Sequence, residues 1–175
     1  MTASLKSRRI EVQEGFSLVE MMFVIGVIAV GLVIAIPAYN LTIKPTARLN
    51  GAARQLYSDV QLARFQAVSD NVRCGLAFSA GPAYTVFKDN NPANSQYDAG
   101  AEEVIKTVTL ANEYPKVQFD TSQGGGDGIS FANNSFSMTS RGLATVAGTV
   151  YLLNEKNKGR RIVLNSVGGV RIEKY

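Results

Sequence analysis

Residues 15–38 read GFSLVEMMFVIGVIAVGLVIAIPA, and the rest of the chain is organised around them. Within this stretch, residues 21–38 have no charged or hydrogen-bonding side chain. As an α-helix they would extend about 27 Å, close to the thickness of a bilayer's hydrocarbon core. Glu20 lies at the start of the apolar run, where a carboxylate is costly unless it has a partner. The stretch therefore predicts a membrane-spanning helix whose first turn carries a functional carboxylate.

The glycine, the aromatic residue and the glutamate four positions later resemble the class III signal of type IV prepilins. In that family a membrane peptidase cleaves after the glycine, and the new N-terminal residue is N-methylated. The resemblance implies cleavage between Gly15 and Phe16, methylation of Phe16 and a role for Glu20 in assembly. Pro37 stands where the family usually has a proline that loosens the helix, and it is assigned to assembly as well.

This resemblance and the hydropathy pattern divide the chain into four regions. We expect a prepilin leader over residues 1–15, a transmembrane and filament-core helix over 16–38, an amphipathic continuation over 39–70 and a globular β domain over 71–175. An ordinary secretory signal with a weak cleavage site at residues 36–38 is the alternative. Positive charges are nearly balanced on the two sides of the span, so an exported C-terminal domain follows from the resemblance alone.

Two hydrophobic periods follow the span. A three- and four-residue period predicts a helix to about Asp70, with Arg48, Arg54, Asp59 and Arg64 mainly off its apolar stripe. The stripe consists of Leu49, Ala53, Leu56, Val60, Ala63 and Ala67. Beyond it, short strands separated by turns favour an α+β fold with an antiparallel sheet or two-sheet sandwich. The predicted strands cover residues 72–79, 83–88, 102–110, 115–120, 128–133, 135–139, 148–153, 160–165 and 170–173.

The composition limits the chemistry of the chain. Cys74 is the only cysteine and there is no histidine, so an intramolecular disulfide and a Cys–His or Ser–His nucleophile pair are excluded. A soft-metal site is not expected. The net charge of +4 is too small to indicate nucleic acid by itself. We predict no cofactor, no metal site and no enzymatic activity.

A second resemblance lies at the end of the amphipathic helix. Residues 56–78, LYSDVQLARFQAVSDNVRCGLAF, are similar to the GspH/FimT family, in which an LARxxA-like segment leads directly into the first strand. The family contains minor pseudopilins of type II secretion systems and minor pilins of type IV pili, structural subunits near a filament tip. The implied partners are other pilin or pseudopilin subunits, the prepilin peptidase and methyltransferase, an inner-membrane assembly platform, and membrane lipid before assembly. The implied location is the bacterial inner membrane and then the filament.

Glu20 has three possible roles at this stage. It would pair with the ammonium of a cleaved Phe16 in its own or an adjacent subunit, which offsets the cost of burying either charge. The alternatives are that its carboxylate reaches the lipid headgroups or simply favours the helix N-terminus. The apolar face likewise predicts lateral filament packing or an ordinary membrane anchor.

The basic C-terminus is the main alternative functional site. Some FimT-like pilins bind DNA through a GRxR-like motif, but here residues 168–171 read GGVR, which lacks the first arginine. Possible DNA contacts are Arg160, Arg161, Arg171 and Lys174. The alternative is that these side chains are solvated and that their charge protects the edge of a strand. The oxygen-rich stretch from Asp89 to Glu103, including Asn90 and Asn91, is either a loop calcium site or a solvated loop.

Overall fold

The computed structural model of this chain describes residues 15–79, 81–89 and 93–175. These residues form two compact units, one ending at Tyr39 and the other running from Asn40 to Tyr175. Most of the predicted leader, together with Asn90 and Asn91, lies outside the described residues.

The first unit is dominated by helix α1, Leu18–Ala38. Its 21 residues are apolar on every side, and none of them, all being described, is buried within the chain. Among the described residues, one helical run, Leu18–Asp70, is long and apolar enough to cross a membrane by its length and composition. A helix that is apolar on all sides requires an apolar environment, and the described residues do not supply one.

A short π-helical segment, Tyr39–Ile43, contains the last residue of the first unit and the first residues of the second. Helix α2, Lys44–Asp70, follows it. Helix α2 ends at Asp70, where the sequence predicts its boundary. The next residue, Asn71, has a left-handed φ of 53°, which stops the α-helical path. Every residue of the predicted stripe is buried, which confirms the helical period. Alanines on this face let the backbone of α2 approach the sheets closely.

Two four-stranded antiparallel sheets complete the unit. Sheet A consists of β1 Arg73–Ser79, β2 Ala83–Asp89, β3 Glu103–Thr109 and β5 Ser135–Met138. Sheet B consists of β4 Val117–Phe119, β6 Gly148–Asn154, β7 Gly159–Leu164 and β8 Val170–Lys174. In sheet A the strand order is β3-β2-β1-β5, and in sheet B it is β4-β6-β7-β8. A short helix, α3 Leu110–Glu113, links β3 to β4. This is the predicted α+β architecture with two antiparallel sheets.

Aromatic side chains join the sheets beneath α2. Phe78 of sheet A meets Phe119 of sheet B edge to face, with ring centroids 5.9 Å apart. Phe131 lies 6.1 Å from Phe78 and 4.7 Å from Phe136. Edge and stacked pairs of this kind add stability beyond the burial of their area, so one core is shared by both sheets and the helix.

The predicted strand over residues 128–133 is wrong. Ile129 makes only an isolated bridge to Val150 of sheet B, and a 3₁₀ turn, Ala132–Asn134, follows. Within that turn Asn133 and Asn134 have φ of 55° and 52°. The chain passes here from sheet B to β5 of sheet A, and left-handed residues redirect it in a way that continuous pairing does not allow.

The loop after β2 is organised by Asp89, which is fully buried. Its two carboxylate oxygens accept backbone N–H bonds from Asn94 and Ser95, at 2.9 and 3.0 Å. This carboxylate, which the sequence offers as a calcium ligand, is therefore used in closing the loop.

Candidate assembly interface

The residues on both sides of the predicted cleavage point are open to solvent. Gly15 and Phe16 precede α1 outside regular structure, and the Phe16 side chain is 77% exposed. A Cβ added to Gly15 would meet no atom within 4 Å. Packing among the described residues thus gives no reason for a glycine at this position.

Glu20 lies in the first turn of α1, at the end where backbone N–H groups lack partners within the helix. The first helical bond there joins the Met21 N–H to the Ser17 carbonyl, at 3.1 Å. The Ser17 side chain makes no capping bond. A carboxylate at this end of a helix gains about 0.3–1 kcal/mol from the helix dipole, so part of the favourable setting of Glu20 comes from α1 itself.

Two glycines within α1 also face open space. An added Cβ at Gly26 or Gly31 would meet nothing within 4 Å. Glycine in a helix interior costs roughly 0.5–1 kcal/mol relative to alanine, and no contact within the chain offsets this cost. The missing side chain at Gly26 leaves a shallow apolar groove, which is lined by Met22, Phe23, Val27 and Val30.

Pro37 weakens the last turn of α1. It lies inside the helix, and its lack of an N–H leaves the carbonyl four residues earlier without its helical donor. The Tyr39 N–H then bonds to both the Ala35 and the Ile36 carbonyls. The wider π-helical turn follows directly. The regular hydrogen-bond ladder is therefore interrupted between the apolar helix and α2.

The basic C-terminal hairpin consists of β7 and β8, which pair antiparallel. Ile162 pairs with Ile172, and Leu164 pairs with Val170. Successive side chains alternate between the two faces of a strand. The four predicted DNA contacts are consequently divided between the two faces of the sheet.

Arg161 and Arg171 lie together on the face away from the core, but one carboxylate holds both. Arg161 donates to Oε2 of Glu173 at 2.7 Å, and Arg171 donates to Oε1 at 2.6 Å. The hydrogen bond from Arg161, followed by the charges of both guanidinium groups, lowers the pKa of Glu173. Each arginine presents less free positive charge than the sequence suggests.

Arg160 and Lys174 face each other across the hairpin on its other face. They line one surface depression with Thr46 of the first turn of α2. The structure thus separates the predicted basic patch into an arginine pair that one glutamate partly neutralises and a cationic group at the start of α2.

With this geometry described, the chain can be compared with known proteins. Residues 52–168 match the family described as "Type II transport protein GspH". The chain belongs to the GspH family. Pilin-like protein PilA1 of Thermus thermophilus is 30% identical over 164 residues, which cover 92% of this chain and 99% of that protein.

Solved structures share the fold of this GspH-family chain. The minor pseudopilin EpsH from the type 2 secretion system of Vibrio cholerae superposes with a TM-score of 0.50 at 14% identity, covering 73% of this chain and 97% of EpsH. The type IV minor pilin FimU of Pseudomonas aeruginosa gives 0.49 at 13% identity, covering 75% and 92%. The chain is a subunit of the minor pilin or pseudopilin class found in type IV pili and type II secretion, whose families are structural.

The GspH-family domain also buries a charged residue that the hydrophobic period did not predict. Asp59 is 3% exposed and accepts hydrogen bonds from Tyr84 at 2.6 Å, Gln55 at 3.1 Å and the Lys106 ammonium at 2.9 and 3.1 Å. Burial, followed by the bond to Asp59, raises the pKa of Tyr84, which stays a proton donor. The prediction that Asp59 lies off the stripe is wrong.

A signal for Asp59 was nevertheless present in the sequence. It follows Leu56 by three positions and precedes Ala63 by four, so it shares the buried face of α2. The partners that make burial tolerable come from β2 and β3, and no helical pattern reveals them. This cluster joins α2 to sheet A through bonds that depend on direction as well as contact.

Proposed function

We propose that this chain is made as a precursor, cleaved between Gly15 and Phe16, and methylated on Phe16 by a prepilin peptidase and methyltransferase. Helix α1 then anchors the subunit in the bacterial inner membrane with its C-terminal domain in the periplasm. An inner-membrane assembly platform transfers it into a filament of pilin or pseudopilin subunits, near the tip. The chain acts as a structural subunit and not as a catalyst.

One observation carries this proposal: α1 is apolar on all sides and fully unburied, yet it has features that its own chain does not use. A simple anchor needs neither a carboxylate in its first turn nor glycines that face open space. Both suit close packing of helices from different subunits, because small residues let backbones approach and a buried charge needs a partner. Family membership supports the same conclusion.

In the assembled filament, Glu20 would pair with the methylated ammonium of Phe16 in its own or a neighbouring subunit. Pairing offsets much of the cost of holding either charge in an apolar bundle. Since Glu20 lies at a fixed position on a rigid helix, the pair would also set how far each subunit enters the filament. Pro37, where the helical ladder is interrupted, would let the helix adapt to its neighbours.

The experiment compares Glu20→Gln with the wild-type chain in cells that contain the assembly machinery. We expect normal cleavage, seen by mass spectrometry as a mature peptide that begins at methylated Phe16, and at least a tenfold loss of the chain from sheared filaments. The matched control is Glu103→Gln, which removes an exposed carboxylate from the globular unit. Normal incorporation of Glu20→Gln would overturn the assembly role, and a mature chain that begins at Met1 or Tyr39 would overturn the pilin route.

A further inference from the structure

Positive side chains from several separate segments gather at the N-terminal end of α2. Lys158, Arg160 and Lys174 surround the depression that includes Thr46. Beside them Lys116 lies 2.6 Å from the Glu155 carboxylate. The bond from Lys116, followed by the charges of Lys156 and Arg48, lowers the pKa of Glu155. We call this set the basic pole; it comprises Lys44, Arg48, Lys116, Lys156, Lys158, Arg160 and Lys174.

A buried amide holds the lysine-bearing turn of the basic pole in place. Asn154 is 4% exposed, and its Nδ2 donates to the Pro45 carbonyl at 3.2 Å. Its Oδ1 accepts the backbone N–H groups of Lys156 and Lys158, both at 3.0 Å. The lysine side chains are exposed while their backbone is tied to the first turn of α2. The cations are therefore presented as a set by an ordered turn.

Little negative charge is free to balance them. Glu155 is already bound to Lys116, and Asp120 is buried under bonds from Tyr175 and Ser122. Some cations on other parts of the domain are paired with carboxylates. Lys88 lies 3.2 Å from Asp70 and 3.0 Å from Glu103, and one glutamate holds the arginine pair of the hairpin. Among the described residues, the basic pole therefore keeps an excess of positive charge.

The number of residues between the apolar helix and the basic pole limits the distance that can separate them. Thr46 follows Ala38 by eight positions. Eight residues span at most about 28 Å when extended and about 12 Å as a helix. Phosphate headgroups begin where the hydrocarbon core ends, and each Lys or Arg close to an anionic surface gains about 1 kcal/mol. Cations at the other end of the domain have no such tether.

We propose that the basic pole binds anionic phospholipid headgroups of the membrane that holds α1, before the subunit enters a filament. The proposal rests on the anchored stage of the proposed function. Nucleic acid is the less favoured ligand, because Arg161 and Arg171, which would extend the surface along a duplex, are held by Glu173. Headgroup contact would keep the domain seated on the bilayer until neighbouring subunits replace the lipid.

The test uses the full chain inserted in nanodiscs of phosphatidylcholine alone or of equimolar phosphatidylcholine and phosphatidylglycerol. Hydrogen exchange of residues 155–158 is followed by mass spectrometry. We expect several-fold slower exchange in the anionic discs, with the difference lost in high salt. Lys158→Gln combined with Lys174→Gln should abolish the difference. The matched control, Arg141→Gln with Arg171→Gln, should retain it.

Each outcome has a defined meaning. Unchanged exchange in β1 shows that the exposed substitutions leave the core folded. Equal exchange of residues 155–158 in both disc types, with the chain co-eluting with the discs, overturns headgroup binding and leaves the anchor intact. Failure to co-elute with either disc overturns the anchored stage and this inference with it. Stronger protection by duplex DNA in neutral discs than by anionic lipid would make nucleic acid the ligand and overturn the proposal.

Discussion

The two long helices place their apolar side chains in opposite environments. Helix α2 buries one stripe against both sheets, and its other faces are mainly polar, with Phe65 and Val68 exposed. Helix α1 is apolar all round, buries nothing and includes a proline and two glycines with open space beside them. Contacts within the chain explain the sequence of α2. Contacts among the described residues do not explain the sequence of α1, which suits the lipid and the neighbouring subunits of the proposed function.

The largest expected effect contrasts one leucine from each helix. Leu56→Ala removes a fully buried side chain of α2 and should lower the free energy of unfolding by about 2–5 kcal/mol. Leu32→Ala in α1, at a side chain 52% exposed, should leave domain unfolding unchanged. Urea unfolding of the full chain in mild detergent measures both. Equal losses would contradict the contrast between the helices.

A smaller effect contrasts the two helical carboxylates. Asp59→Ala leaves the Tyr84 hydroxyl and the Lys106 ammonium without their acceptor, which should cost about 1–3 kcal/mol of domain stability. Glu20→Ala should cost the domain nothing. Glu103→Ala, which removes a largely exposed partner of Lys88, serves as the control and should cost less than about 1 kcal/mol. A similarly small cost for Asp59→Ala would argue that its buried cluster does not hold α2.

Acid should destabilise the globular unit. The Ser122 hydroxyl, followed by that of Tyr175, lowers the pKa of Asp120. Because its pKa in the folded state lies below that in the unfolded state, the ionised carboxylate stabilises the fold at neutral pH, and this contribution is lost as pH falls below roughly 4.

Asp120→Asn should therefore flatten the dependence of unfolding free energy on pH between about 4 and 2. Tyr175→Phe, which removes one of the donors, should flatten it less. Unfolding curves across this range test both variants. An unchanged slope in Asp120→Asn would show that the carboxylate is not the titrating group.

The smallest expected change in folding energy comes from filling the groove of α1. Gly26→Ala should favour the helix by about 0.5–1 kcal/mol, since an added Cβ meets open space. Gly26→Leu should leave domain unfolding unchanged but reduce recovery in filaments several-fold. Ala35→Leu, on the opposite face of α1 by helical periodicity, is the matched control. Equal recovery of the two leucine variants would argue against packing at this groove.

Local patterns predicted much of the architecture. The end of α2 and most strands follow from periods of 3.6 and 2 and from turn residues. The strand prediction for residues 128–133 was wrong because the strand pattern does not reveal where the chain passes from one sheet to the other. The prediction that Asp59 lies off the buried stripe was wrong for a similar reason, because its partners lie on β2 and β3.

The sequence alone is enough to recognise α1 as an apolar span with one carboxylate and small residues. It is recognisable because no other described part of the chain buries it. Only the tertiary structure decided which charges are free. Glu173 holds Arg161 and Arg171, while Asn154 ties the lysine turn to the start of α2. The reason is physical. A segment that is buried by an external environment can be recognised from its local composition. The net charge of a surface depends instead on pairs of charged side chains that come together from distant parts of the chain.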